Sequence, residues 1–245
     1  MLRITQAGKQ FPGGRWGLRG VSFAMKPGEF VFLTGPSGAG KTTLLRLLSM
    51  EEPPTVGEAR IGEFSTRTIR RREVPRLRRK IGLVFQDFRL LPDRSAFENI
   101  ALVLRVIGSP RAQIHRRVMR SLAAVGLSGR GDALPGELSA GERQRVGIAR
   151  AIVNDPLVVL ADEPTGNVDR DTTREIFALL QKVSDAGTSV LVATHDAAMV
   201  AAIDARTLAL DSGRLVSDTP PGSAVAAIAR PVATPGPGHS PRSFA

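Results

Sequence analysis

The chain has no cysteine. That absence excludes disulfide staples and thiolate metal sites, and it fits an intracellular compartment. No apolar run comes near the ~20 residues that a membrane-spanning helix needs. The first ten residues, MLRITQAGKQ, lack the apolar core of a secretory signal. A soluble or peripheral cytoplasmic protein is expected. Acidic side chains are in deficit: 23 Asp and Glu stand against 34 Lys and Arg, for a net charge of +11. Such a balance suits an acidic partner, either nucleic acid or an anionic membrane surface. The excess is densest at 67–80, RTIRRREVPRLRRK, with eight basic residues and one acid. A solvated helical face is the simpler reading of that run. No internal repeat is visible.

What is present is an alternating α/β pattern. A chain of 245 residues suits one large domain, or a domain carrying an inserted subdomain, and can bury a real core. Over 1–34, LRITQ, VSFAM and EFVFLT read as strands, with KPGE as a turn between two of them. KTTLLRLLSM (41–50) switches to helical spacing, and PTVGEARIG (54–62) reads as a further short strand. From about 95 to 150 the pattern is helical. Ser95 and Glu98 form an S-x-x-E capping box. A second helix is expected to start with Pro110 at its first position and to end at Gly126. PLVVLADE, TTREIFALLQKVSDAG and SVLVATHD then alternate strand, helix and strand, which predicts a parallel sheet with right-handed crossovers. RTLALDSGRLV reads as a hairpin turning at Asp-Ser-Gly. From 218 to 245, six prolines and three glycines with few large apolar residues predict a disordered tail.

GPSGAGKT, residues 35–42, matches the phosphate loop G-x-x-x-x-G-K-[ST]. It follows the strand EFVFLT and opens the helix KTTLLRLL, as the mechanism requires. Gly35, Gly38 and Gly40 let the backbone turn tightly and aim its N–H groups inward, with Pro36, Ser37 and Ala39 between them. The helix N-terminus adds its positive end. Lys41 can reach the β- and γ-phosphates, Thr42 can ligate Mg²⁺, and Thr43 can contact the α-phosphate. The loop alone implies a nucleoside triphosphate and no particular reaction. Asp162 ends the buried run VVLADE, where ligands collect in open α/β sheets, and is a natural Mg²⁺ partner. Glu163 follows and could polarise the water that attacks the γ-phosphate, which favours hydrolysis over transfer.

LSAGERQRV (138–146) contains a second capping box, Ser139-x-x-Glu142. Its plain reading is a helix start. A capped helix N-terminus with small residues also exposes N–H groups that can hold a phosphate. The chain already has a phosphate loop for its own nucleotide. A spare anion site makes most sense if it serves a nucleotide held by a second copy.

GPSGAGKT, LSAGERQRV, LADEPTGNVD and ATHD, in that order, resemble the nucleotide-binding domain of ATP-binding cassette (ABC) proteins over about residues 1–217. The resemblance implies a mixed sheet core with an antiparallel β subdomain and an inserted α-helical subdomain at about 88–150. It implies ATP and Mg²⁺ as ligands and ATP hydrolysis as the reaction. It implies that Phe11 stacks on adenine, and that Gln86 couples nucleotide and Mg²⁺ to a membrane partner. His195 would be the switch residue at the γ-phosphate. Asp169 would lie in the loop that crosses a dimer interface, and Ser139 and Gly141 would bind the opposite nucleotide. The family usually has Gly where this chain has Ala140, and a methyl group there could crowd the partner's γ-phosphate.

A single cassette with no membrane segment implies a homodimer docked on separate membrane subunits. The stretch REVPRLRRKIGLVFQDFRLLPDRSAFENIALVLRVIG (72–108) most resembles the bacterial cell-division branch of the family, the FtsE type. That branch implies an FtsX-like membrane partner in a 2:2 complex and links to the division-ring protein FtsZ. Its ATP-driven closure would signal to cell-wall hydrolases from the cytoplasmic face of the inner membrane at the division site. The alternative is a lipoprotein-release or macrolide-type exporter ATPase. A nucleic-acid-linked cassette fits less well, because such chains usually carry two cassettes or a long insertion. The basic run 67–80 leads toward Gln86 and could lie near anionic lipid headgroups.

Overall fold

The computed structural model describes residues 1–223. Strand β1 (Leu2–Gln10) shows how the pattern folds: Leu2 and Ile4 are buried while Arg3 and Thr5 face solvent, the period-2 alternation of a half-covered sheet. It pairs antiparallel with β2 (Trp16–Met25) and β4 (Val56–Ile61), and β4 pairs with the short β5 (Phe64–Ser65). This four-stranded sheet has the order β2-β1-β4-β5.

The second sheet is central. It contains β3 (Phe30–Thr34), β6 (Ile81–Val84), β7 (Val158–Asp162), β8 (Ser189–Ala193), β9 (Arg206–Asp211) and β10 (Arg214–Thr219), in the order β10-β9-β3-β8-β7-β6. All neighbouring pairs are parallel except β9–β10, so the sheet is mixed. Both of its faces are covered, as parallel strands require. Val31, Leu33, Val158, Leu160 and Leu191 pack with α1 (Lys41–Leu48) and the antiparallel sheet. Phe32, Val159, Ala161, Val190 and Val192 point the other way, toward α5 (Ala140–Ile152) and α6 (Arg170–Asp185). Successive residues of one strand thus feed two separate cores.

Between β6 and β7 the chain inserts α3 (Ala96–Val106), α4 (Arg111–Ala124) and α5. Ile100, Leu104, Val118 and Leu122 join their apolar stripes to the second core. The capping box at Ser95 forms, with Ser95 Oγ accepting from the Glu98 N–H. Pro110 is the N-cap of α4 and not its first helical residue: its ψ of 132° is extended, and the helix begins at Arg111. The expected turn at Asp-Ser-Gly joins β9 to β10, with positive φ at Ser212 and Gly213, the requirement of a tight hairpin. The boundary expected at 218 falls inside a paired strand. β10 continues through Thr219, and Asp218 takes two hydrogen bonds from Arg206. The rest of the expected tail, 224–245, lies outside the described residues. The short helices α2 (Val74–Arg78) and α7 (Ala197–Ala202) show no readable period because each is under two turns long. No helix among the described residues is long and apolar enough to cross a membrane.

Candidate nucleotide site

The phosphate loop leaves β3 at Thr34 and enters α1 at Lys41. Gly35 has φ +140°, and a Cβ there would collide with the Leu210 carbonyl of β9. Only glycine passes at that point. Gly40, at φ +106°, is the N-cap of α1 and supplies no side-chain cap. The first N–H groups of α1 are therefore left to a ligand. Ala39 is 2% exposed and anchors the loop from below, its carbonyl accepting from the Gly213 N–H. Lys41 Nζ folds back onto the loop and donates to the carbonyls of Gly35 (2.8 Å) and Pro36 (3.2 Å).

A cavity of about 400 Å³ opens over this loop. Phe11, Arg15, Trp16, Ser37, Gly38, Gly40, Lys41, Thr42, Thr43, Asp162 and Glu163 line it. Sequence spacing pointed to most of these residues. Arg15 and Trp16 were missed. Trp16 starts β2 and Arg15 precedes it, and the turn is closed by the Phe11 N–H donating to the Arg15 carbonyl. Their one signal is closeness in sequence to Phe11. The Phe11 ring lies against Gly17, where a Cβ would come within 2.6 Å of it.

Asp162 ends β7 beside Thr42, whose hydroxyl is 3.4 Å from Asp162 Oδ1. Burial pushes the Asp162 carboxyl above its ordinary range; the Thr42 hydrogen bond opposes this, and the neighbouring Glu163 charge adds to it. A part-buried carboxylate lacking full compensation, next to a hydroxyl and open to a cavity, fits a small hard cation that takes its remaining ligands from phosphates and water. Among the described residues no group of three or more His, Cys, Asp or Glu could hold a metal without such help.

Glu163 has φ +46°, a strained conformation for a non-glycine residue. The turn is held by its N–H donating to the Ala193 carbonyl of β8. His195 Nδ1 lies 2.9 Å from Glu163 Oε1, and the His195 N–H is 3.4 Å from Oε2. The glutamate side chain is 18% exposed and the histidine 75%. His195 also lines a neighbouring cavity of about 550 Å³ that includes Gly35 and Pro36. One carboxylate is thus oriented at the rim of the phosphate cavity by a histidine that reaches from outside.

Ser139, Gly141 and Asp169 do not line the chain's own cavity. Ser139 caps α5, with Glu142 completing the box. Asp169 caps α6, accepting from the N–H groups of Asp171 and Thr172 and from the Thr172 hydroxyl. The two helix starts meet at Thr172, whose methyl group would lie 2.5 Å from a Cβ on Gly141. Gln86 does not line the cavity either. It follows β6, its side chain lies against Gly166, and its carbonyl accepts from Asn167 Nδ2 at 2.8 Å.

Comparison with known proteins adds an independent finding. Residues 18–166 match the ABC transporter family model. The chain is 49% identical over 219 residues to the cell division ATP-binding protein FtsE of Mycobacterium tuberculosis, covering 89% of this chain and 95% of that one. It is 45% identical to FtsE of Bacillus subtilis, covering 89% and 96%. Among solved structures it resembles a dimeric ATP-binding cassette in a post-hydrolysis state bound to ADP and Pi. The TM-score there is 0.80 at 34% identity, covering 90% of this chain and 98% of the other. By sequence and by fold, the chain belongs to the ABC transporter family of ATP-binding cassettes, in the branch of the cell division ATP-binding protein FtsE.

Proposed function

We infer that this chain is the ATP-hydrolysing subunit of an FtsEX-type complex. The observation that carries the reading is one cavity holding Lys41, Thr42, Asp162 and Glu163 over a free helix N-terminus. ATP would place its phosphates on the N–H groups of residues 37–43, with the adenine against Phe11. On this reading Lys41 leaves the carbonyls it now holds and pairs with the β- and γ-phosphates. Thr42 and Asp162 would hold Mg²⁺, with Gln86 closing in from the side. Mg²⁺, when bound, neutralises charge on the phosphates. Glu163 then accepts a proton from the attacking water at a carboxylate oxygen, while His195 Nδ1–H holds Oε1 and keeps the group aimed.

Ser139 and Asp169 are exposed, with Gly141 buried between their helix starts, on an edge away from the chain's own cavity, which supports their use by a second copy. On this reading two chains close head to tail, and each Ser139 cap faces the other's γ-phosphate. Leu91, Leu102 and Val106 are 41, 42 and 71% exposed, and Asn99 ties Leu91 to α3 through both its N–H and its carbonyl. This apolar edge beside the Gln86 loop supports a docked FtsX-like membrane subunit, in a 2:2 complex at the cytoplasmic face of the membrane. Closure would signal through that subunit to cell-wall hydrolysis, in company with FtsZ. Arg70, Arg71, Arg72, Arg76 and Arg79 are exposed and make no ion pair among the described residues. They supply a face for anionic headgroups.

The test is a pull-down. Glu163→Gln protein loaded with ATP is isolated from detergent-solubilised membranes of its host, and its companions are identified by mass spectrometry. Recovery of an FtsX-like protein supports the reading. A lipoprotein-type permease would move the protein to transport, and recovery of no membrane protein would overturn the membrane coupling. Charge reversal at Arg70, Arg71 and Arg72 that left membrane attachment unchanged would sink the headgroup role.

A further inference from the structure

The loop after β6 has an unusual backbone. Phe88 and Arg89 are consecutive non-glycine residues with positive φ, +58° and +47°. Two such residues in a row are costly and persist only where the surroundings enforce them. Three elements hold this loop. At its start, Asn167 donates to the Gln86 carbonyl. At its end, Asn99 of α3 binds both backbone groups of Leu91. At the strained centre, Arg150 of α5 donates from Nη1 to the Arg89 carbonyl (2.5 Å) and from Nη2 to the Phe88 carbonyl (2.7 Å), the one polar side-chain tether from outside the loop among the described residues.

The loop passes within van der Waals range of α5: a Cβ on Gly147 would sit 3.9 Å from the Phe88 carbonyl oxygen, so there is room for a side chain there and the hold comes from Arg150. Gln144, three residues earlier on the helix, is fully buried, and its amide has no partner among the described residues. It does not share the load. Arg143 contributes only its guanidinium, 5.3 Å from the centre of the Phe88 ring. Arg89 carries its own charge to Asp87 and over the Phe85 ring, leaving its carbonyl free for Arg150. A planar guanidinium gives each carbonyl its own nitrogen in a rigid fork; a lysine has a single ammonium on a flexible stem and lacks that fixed geometry.

We propose that Arg150 is a positioning residue, which by gripping the Phe88 and Arg89 carbonyls holds the 86–91 loop in its strained turn and so sets where Gln86 stands relative to the nucleotide cavity. This rests on the reading of Gln86 as a nucleotide-side residue. It also joins two parts of the site through one rigid element. Ser139 caps the start of α5 and Arg150 lies eleven residues on, roughly 16 Å along the helix. A shift of α5 that moves Ser139 therefore carries the Gln86 loop with it.

The first measurement is amide hydrogen exchange on the nucleotide-free chain, which does not depend on turnover. Arg150→Met should raise exchange at 87–91 at least tenfold and leave β7 and β8 unchanged. Unchanged exchange at 87–91 overturns the proposal. Should Arg150→Met fail to fold, Arg150→Lys keeps the charge but not the rigid two-nitrogen fork, and it should show the same local rise in weaker form. The second measurement separates positioning from packing. Arg150→Lys should lower kcat for ATP about tenfold while Mg²⁺-free ATP affinity changes less than twofold. Adding Arg89→Gly, which removes the left-handed penalty at one strained position, should restore kcat at least threefold. Loss without rescue would make Arg150 a structural residue of α5. A wild-type chain that binds no ATP would instead break the nucleotide reading, and the exchange result would still stand.

Discussion

Asp162 and Asp169 are near neighbours in sequence and sit in opposite surroundings. Asp162 ends a buried strand at the floor of the cavity, and burial pushes its carboxyl up. Asp169 is exposed, and the N–H and hydroxyl of Thr172 hold its carboxyl down. The difference separates the two regions. The cavity keeps groups that its own chain leaves under-satisfied: free N–H groups on α1, a part-buried carboxylate, and a lysine resting on loop carbonyls. The Ser139–Asp169 edge satisfies itself with caps and needs nothing until another surface meets it. A site built to take a ligand within one chain carries its cost in that chain. An edge that satisfies its own helix ends does not.

The sharpest way to break this comparison is Glu163→Gln. Turnover should fall about 10²- to 10⁴-fold, the range of a lost general base, while ATP affinity stays within a few-fold and size-exclusion chromatography shows an ATP-held dimer. Adding Ser139→Trp should abolish that dimer without touching ATP affinity. A dimer that survives would remove the cross-subunit role of the edge. Next in size, Lys41→Ala should weaken ATP binding by about 1.5–3 kcal/mol, ten- to hundredfold, the cost of charged hydrogen bonds. Calorimetry showing unchanged affinity would contradict the assignment.

The two aspartates then give a smaller test of opposite signs. Asp162→Asn removes an under-compensated charge and should raise the Tm of the nucleotide-free protein by about 2 °C, even as Mg²⁺-dependent turnover is lost. Asp169→Ala removes a helix cap and should lower Tm. Smallest is the pH dependence. The folded pKa of Asp162 is raised, so its contribution to stability is full below the ordinary value of about 3.9 and is lost as pH rises through the raised value. The folded pKa of Asp169 is lowered, so its contribution is present above about 3.9 and is lost as pH falls through the lowered value. Thermal melts of wild type and of the two variants, run between about pH 3 and pH 7, should diverge in opposite directions. Parallel curves would mean that the two environments are alike.

Much of this was open to reading from residues alone. The phosphate loop depends on a few consecutive residues between a strand and a helix, so local spacing carries it. The same holds for the capping boxes at Ser95 and Ser139, and for the buried run that ends in Asp162. Phe11 was within reach, but Trp16 and Arg15 were not, because a hairpin turn brings them to the cavity from a strand whose pattern only reports which face is buried. Pro110 was misplaced by one residue because Pro suits both sides of a helix start.

Sequence by itself determined the nucleotide chemistry and most of the strands and helices, since both follow from residues that are neighbours along the chain; β6, α2 and α7 are too short to show a readable pattern. Tertiary structure alone decided the rest, since contacts between distant residues set the backbone angles and burial involved. It put Glu163 in a left-handed turn against the Ala193 carbonyl and within reach of His195, thirty-two residues away. It seated Gly141 on Thr172. It also forced Phe88 and Arg89 into conformations that neither prefers, held there by an arginine 62 and 61 residues further on.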